Sequence, residues 1–271
     1  MKPLWLIEVD VPGVDSPSLQ TEIRRQGMQA RPVRPNLGAP FPRDLLGAEQ
    51  VPPTACVLFL GTLPLMAHIQ ARRQWRPGGW CSQARLACSV YYAHLGAFLL
   101  NQRYTLLPCA EVVRQARRLA AELGREGRLF LRPDSARKEF SGRVVSQHGV
   151  EQALASVLTD PTSLVLVAEP QEVAREWRLV VRQDEVVAAS QYREGGAPAL
   201  RAGCPDEVRA FASAVLSQVA WRPDPLFMLD VGETPGGLRV IELNSFSCSG
   251  LYACELAPVV AAAAACARAA W

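Results

Sequence analysis

Two carboxylates and an amide stand inside runs that are otherwise apolar: Asp230 in PLFMLDVGE, and Glu242 with Asn244 in LRVIELNSF. The turn TPGG joins the runs, so they read as a hairpin. Alternation along VIELNSF puts Glu242 and Asn244 on one face, two residues apart. With a register that brings Asp230 beside them, the three supply the oxygen donors that a hard cation such as Mg²⁺ takes, its shell completed by water and phosphate. The competing reading, acids on a solvent-facing strand pair, is disfavoured because an unpaired carboxylate in an apolar strand is costly.

The segment LRPDSARKEFSGR supplies the opposite charge. It places Arg132 at the end of a strand, then a polar loop with Lys138, Ser141 and Gly142. Of 29 Lys and Arg residues only Lys2 and Lys138 are lysine. Backbone N–H groups in such a loop can cradle phosphates, with the ammonium as a compact charge on them. Taken alone, the same loop reads equally as a solvated turn. In EWRLVV, Glu176 and Arg178 share a face, and Arg178 lies between Trp177 and Leu179 in a strand built to be covered. An arginine there suits bidentate contact with a phosphoryl oxygen or a carboxylate, the plain alternative being a sheet-surface arginine.

These residues need elements to hold them. LWLIEVD, SPSLQTEIRRQG and QARPVR read as a strand, a Ser-capped helix ending at Gly27, and a strand. TACVLFLGT is an apolar strand covered on both faces, LPLMAHIQARR a helix, RPGGW a turn, and SQARLACSVYYAHLGAFLLN a helix. Residues 1–108 thus form an α/β lobe. From Pro108 the texture changes, and residues 109–271 form the second region. There CAEVVRQARRLAAELGREG is a helix, RLFLRPD and VVS are strands, VEQALASVL is a helix and SLVLVAEP an apolar strand. EWRLVVRQ and EVVAASQYR form a hairpin around Asp184, PDEVRAFASAVLSQVAW is a helix, and a last helix runs from about Leu251.

Composition narrows the chemistry. The chain of 271 residues, 49% hydrophobic and 20% charged, has ordinary globular composition. A net charge of +3, with arginines interspersed among acids, gives no nucleic-acid stripe. The start MKPLWLIEVDVPG is no signal peptide, and LAPVVAAAAACA is too short to cross a membrane, so a soluble cytoplasmic protein is expected. Eight scattered cysteines without C-x-x-C, and three histidines without ligand spacing, argue against zinc chemistry and a Cys-His protease; the thiols read as buried and incidental.

In order, the strand with Arg132, the loop with Lys138 and Gly142, the strand into AEP, then EWRLVV, LDVGE and VIELNSFSCSGLY resemble the ATP-grasp superfamily. They are most similar to its R2K clade, over about residues 80–260. The resemblance implies an α/β fold: a two-lobed α+β ATP-grasp region preceded by an N-terminal preATP-grasp lobe. On that template Arg132 and Lys138 hold ATP phosphates, the loop at Ser141 and Gly142 closes over them, Glu169 lies at the adenine hinge and Glu172 meets the ribose. Arg178 stabilises the transferring phosphoryl group, with Lys138 assisting, and Asp230, Glu242 and Asn244 bind Mg²⁺. Arg132 stands where better-known ATP-grasp ligases carry a lysine.

The implied activity is ATP- and Mg²⁺-dependent joining of a carboxylate to an amine through an acylphosphate, on small-molecule or peptide substrates. Two alternatives stay open: a phosphotransferase using the same site, and a non-catalytic module that binds nucleotide or peptide. RPVRPNLGAPFPRD and RPGGW in the first lobe are expected to help build the acceptor site. Neither the substrates nor the oligomeric state is legible.

Overall fold

Strand β1 (Leu4–Glu8) buries four of its five residues and is paired with a strand on each side, at the centre of its sheet. The computed structural model describes residues 2–11, 15–35, 45–156 and 160–271. Its contacts divide the chain into two units. Unit 1 comprises Met1–Ser82, Arg175–Val231 and Leu243–Trp271, and unit 2 comprises Gln83–Ala174 and Gly232–Glu242. The boundary expected at 108 falls inside unit 2.

In unit 1, β1 is followed by α1 (Ser16–Arg25), β2 (Gln29–Pro35), β3 (Leu45–Leu46), β4 (Cys56–Leu60), α2 (Leu63–Arg72) and β5 (Arg76–Gly78). The sheet order is β3-β2-β1-β4-β5, with β2, β1, β4 and β5 parallel. The N-cap of α1 is Asp15 rather than Ser16: its carboxylate accepts from the Ser18 N–H at 3.1 Å, and the shorter Ser16 side chain is turned inward. The helix stops at Gly27, whose φ of +73° favours glycine. All of β4 is buried, as its apolar run required. RPGGW is not simply a turn: Arg76, Pro77 and Gly78 lie beside Cys56, Val57 and Leu58 as an edge strand, where a proline is tolerated. Residues 36–44, within RPVRPNLGAPFPRD, lie outside the described residues.

Unit 2 begins with α3 (Cys88–Leu95), shorter than expected at both ends: residues 82–87 are not helical, and after Leu95 Gly96 takes φ +48° and a 3₁₀ turn at Gly96–Phe98 follows. Next come β6 (Tyr104–Pro108), α4 (Cys109–Arg114), α5 (Ala116–Glu122), β7 (Arg128–Pro133), β8 (Arg143–Ser146), α6 (Val150–Ala155) and β9 (Leu164–Ala168). The helix expected from residue 109 onward is two helices, interrupted where Gln115 leaves helical geometry (φ −103°, ψ 10°). The sheet is β6-β9-β7-β8, its pairs antiparallel. Val112, Leu119, Leu129, Leu131, Leu154 and Val167 close its core. Each such side chain contributes about 1.5–3 kcal/mol of burial.

The chain then forms β10 (Arg175–Arg182), β11 (Glu185–Glu194), β12 (Ala197–Ala202), α7 (Asp206–Gln218), β13 (Leu226–Thr234), β14 (Gly237–Ser245) and α8 (Leu256–Ala270). The sheet order is β12-β11-β10-β13-β14. The hairpin around Asp184 is β10 and β11, with Arg182 opposite Glu185. The last helix starts at Leu256, five residues later than expected. Its small face, Val260, Ala263, Ala264 and Ala267, lies in a core with Trp5, Ile7, Leu58 and Met228. Among the described residues no helix is long and apolar enough to cross a membrane.

Candidate functional site

Arg178 sits on β10 in a strand whose middle five residues are buried, and is itself 6% exposed. A guanidinium there needs a counter-charge, and β13, the next strand, supplies it with the fully buried Asp230. Arg178 Nε donates to Asp230 Oδ1 at 2.9 Å and Nη2 to Oδ2 at 2.7 Å, a bidentate pair, while Nη1 donates to the Gly250 carbonyl at 3.2 Å. Asn244 on β14 donates from Nδ2 to Asp230 Oδ2 at 3.0 Å. That bond fixes the amide orientation and leaves Asn244 Oδ1 buried without a hydrogen-bond partner.

Two tyrosines frame this pair. Tyr192 and Tyr252 stack with centroids 5.1 Å apart at 18°, and the Arg178 guanidinium lies 5.8 Å and 4.9 Å from their centroids. Tyr192 donates its hydroxyl hydrogen to Glu176 at 2.5 Å, which ties Glu176 into the same face. Burial pushes the nearby Cys254 thiol up to about 12, with Arg178 pulling the other way, so it stays protonated and is no nucleophile at neutral pH.

In unit 2, Glu242 accepts from two cations. Arg132 Nη2 lies 2.6 Å from its Oε2 and Lys138 Nζ 3.3 Å from its Oε1. Arg132 also donates to the Ile241 carbonyl at 3.3 Å. Its side chain is 12% exposed, against 45% for Lys138. Burial disfavours the Arg132 charge, but Tyr91, Cys88 and Glu242 around it outweigh that effect and hold the group above its ordinary range. Lys138 has φ +54°, a left-handed backbone uncommon for lysine. In the same loop Ser141 and Gly142 are exposed, and a Cβ on Gly142 would meet the Phe130 ring at 2.8 Å.

Glu169 and Glu172 follow β9 and line a cavity of about 390 Å³ in unit 2, with Arg103, Arg125 and Arg239. Glu172 pairs with Arg125 at 3.2 Å, and the Glu169 carbonyl accepts from Asn101 at 3.3 Å. The residues singled out in the sequence thus gather in three places. Arg178, Asp230 and Asn244 meet in unit 1; Arg132, Lys138 and Glu242 meet in unit 2 beside the Ser141 and Gly142 loop; Glu169 and Glu172 share the unit 2 cavity. Glu242 and Asn244 are two positions apart on β14. Sequence reasoning did not find Tyr192, Tyr252 or the three cavity arginines, whose only signal was aromatic or basic character inside otherwise assigned segments.

Among the described residues there is no group of three or more His, Cys, Asp or Glu able to hold a metal. The three residues expected to bind Mg²⁺ are divided: Asp230 and Asn244 meet in unit 1, where the buried Asn244 Oδ1 has an acceptor lone pair unused, and Glu242 pairs with Arg132 and Lys138 in unit 2.

No curated protein matches the chain by sequence. Solved structures match its fold over nearly its whole length. D-cycloserine synthetase DcsG has a TM-score of 0.66 at 16% identity, covering 98% of this chain and 99% of that one. D-alanyl-alanine synthetase A from Vibrio cholerae has a TM-score of 0.65 at 13% identity, covering 99% and 98%. The ATP-grasp ligase PsnB, complexed with a minimal precursor, has a TM-score of 0.56 at 16% identity, covering 98% and 99%. The family model of the ATP-grasp domain, R2K clade family 3, matches residues 72–263, more than half of the sequence, and the chain therefore belongs to that family.

Proposed function

We propose that this protein is an ATP- and Mg²⁺-dependent ligase that joins a carboxylate to an amine through an acylphosphate. The observation that carries the reading is the buried Arg178–Asp230 pair with the unpartnered Asn244 Oδ1 beside it, in a chain of this family.

In this reading Arg132 and Lys138 exchange Glu242 for phosphate oxygens, and the Ser141 and Gly142 backbone closes over them. Glu169 and Glu172, in the arginine-lined cavity, face the adenosine end of the nucleotide. Asp230 and Asn244 of unit 1 and Glu242 of unit 2 are the residues that would hold Mg²⁺, whose charge would offset that of the phosphates. Arg178 lies against the same carboxylate and stabilises the transferring phosphoryl oxygens. No side-chain nucleophile is needed: the carboxylate substrate attacks the γ-phosphorus, ADP leaves, and the amine then displaces phosphate from the acyl carbon. The names of the structural neighbours, a D-cycloserine synthetase, a D-alanyl-alanine synthetase and a ligase complexed with a precursor peptide, favour amino-acid-like or peptide substrates.

The test is release of ADP and phosphate from ATP and Mg²⁺ on adding panels of carboxylates and amines, with hydroxylamine as a trap for the activated acyl group. Turnover requiring both substrates is expected. Turnover without an amine would replace the ligase by a phosphotransferase, and failure of ATP to bind by calorimetry would sink both.

A further inference from the structure

The scattered cysteines include one pair that the fold brings together. In unit 1 the Trp80 N–H donates to Ser247 Oγ at 2.9 Å, and the Ser247 N–H returns a bond to the Trp80 carbonyl at 3.2 Å. A Cβ on Gly79 would lie 2.7 Å from Ser247 Oγ, so the approach requires glycine. The residues that follow each of these, Cys81 and Cys248, are thereby brought into one apolar cluster of unit 1, and both are free. Each is anchored by its backbone: the Cys81 carbonyl accepts from Gln70 at 3.1 Å, and the Cys248 N–H donates to Ser245 Oγ at 3.2 Å. Cys81 is 1% exposed, while Cys248 is partly exposed.

The other six cysteines differ. Burial raises every one of their thiols: Cys56, Cys88, Cys109, Cys204, Cys254 and Cys266. Cys81 is lowered instead, because Cys248 donates to it, and Cys248 is raised by the same bond and by burial. Cys81 is thus the one thiol of the eight held below its ordinary range.

We propose that Cys81 and Cys248 form a reversible dithiol–disulfide pair, a modification site for low-molecular-weight disulfides. The remaining proton of the pair passes from Cys248 to Cys81, and the partly exposed Cys248 sulfur attacks one sulfur of the reagent; its S–S bond breaks and one reagent thiolate leaves. The second protein sulfur then attacks the mixed disulfide and expels the other reagent thiolate. One S–S bond forms in the protein, two electrons reduce the reagent to two thiols, and the two thiol protons pass to them. Closure ties the segment after Asn244, whose Gly250 carbonyl accepts from Arg178, covalently to the segment after β5.

The experiment exposes the full folded chain to oxidised glutathione and maps its thiols by mass spectrometry after non-reducing digestion. The expected product is a peptide linked through Cys81 and Cys248, reversed by dithiothreitol, with Cys56, Cys109, Cys254 and Cys266 still reduced. Eight free thiols after exposure, a glutathione adduct on Cys248 that never closes, or linkage through other cysteines would each overturn the proposal. The readout is covalent mass, so it stands or falls apart from the ligase reading.

Discussion

Arg178 and Asp230 meet across neighbouring strands through two parallel hydrogen bonds of 2.9 Å and 2.7 Å, with 7% and 1% of their side chains exposed. Such a pair adds little net stability over apolar residues, yet losing one partner leaves a buried charge alone. Asp230→Asn is therefore expected to destabilise the protein by about 3–5 kcal/mol, read from urea unfolding. An Arg178→Met/Asp230→Leu double variant should cost less than Asp230→Asn alone. A double variant that costs the sum of its single replacements would mean that the pair is not coupled.

Lys138 offers the converse case, an exposed cation whose pairing with Glu242 contributes about 0–1 kcal/mol to stability. Lys138→Ala is expected to leave the thermal midpoint nearly unchanged and weaken ATP binding about tenfold or more by calorimetry, the loss of one charge-assisted contact. Lys138→Gly should bind ATP as poorly while being the more stable of the two, because glycine accepts φ +54° without strain. Lys138→Arg keeps the charge but replaces a point donor by a planar fork, and weaker binding is again expected. Unchanged affinity in all three would remove Lys138 from the phosphate site.

Asn244→Ala removes the unpartnered Oδ1 together with the bond to Asp230. The Mg²⁺ concentration giving half-maximal ATP turnover should rise several-fold, with a stability change of about 1 kcal/mol. Asn244→Asp places a second carboxylate against Asp230, and like charges so close disfavour ionisation of both. Its stability deficit should be larger at pH 7 than at pH 4, where one of the two is protonated. A deficit that does not change with pH would show that the new carboxylate stays clear of Asp230.

Gly142→Ala tests the loop. The added Cβ would meet the Phe130 ring at 2.8 Å, and a ring held on β7 has little freedom to give way. The loop must shift, so KM for ATP should rise with little change in kcat; an equal fall in kcat with KM unmoved would place the loop elsewhere in the cycle.

The sequence disclosed what local pattern can encode. The apolar run at Cys56–Leu60 is a strand buried on every residue, and β13 and β14 lie side by side as the TPGG turn implied. Elements at sheet edges were less visible: β12 is mostly exposed and carries no alternation, and β6 (YTLLP) is a strand because β9 lies opposite it. Contacts between distant residues were invisible for another reason. Arg132 and Glu242 are 110 positions apart, and Cys81 and Cys248 are farther still, so only the folded backbone could introduce them. Composition marked Lys138 as unusual; it could not say that the ammonium rests on Glu242.

The division of the chain has a practical corollary. Unit 2 draws its final residues, Gly232–Glu242, from the tip of a hairpin that starts and finishes in unit 1. No uninterrupted excision of residues 83–174 carries Glu242 with it, so such a fragment would hold Arg132 and Lys138 without the carboxylate they share. Transplanting this half into another scaffold thus demands two splices rather than one, the second of them an eleven-residue graft.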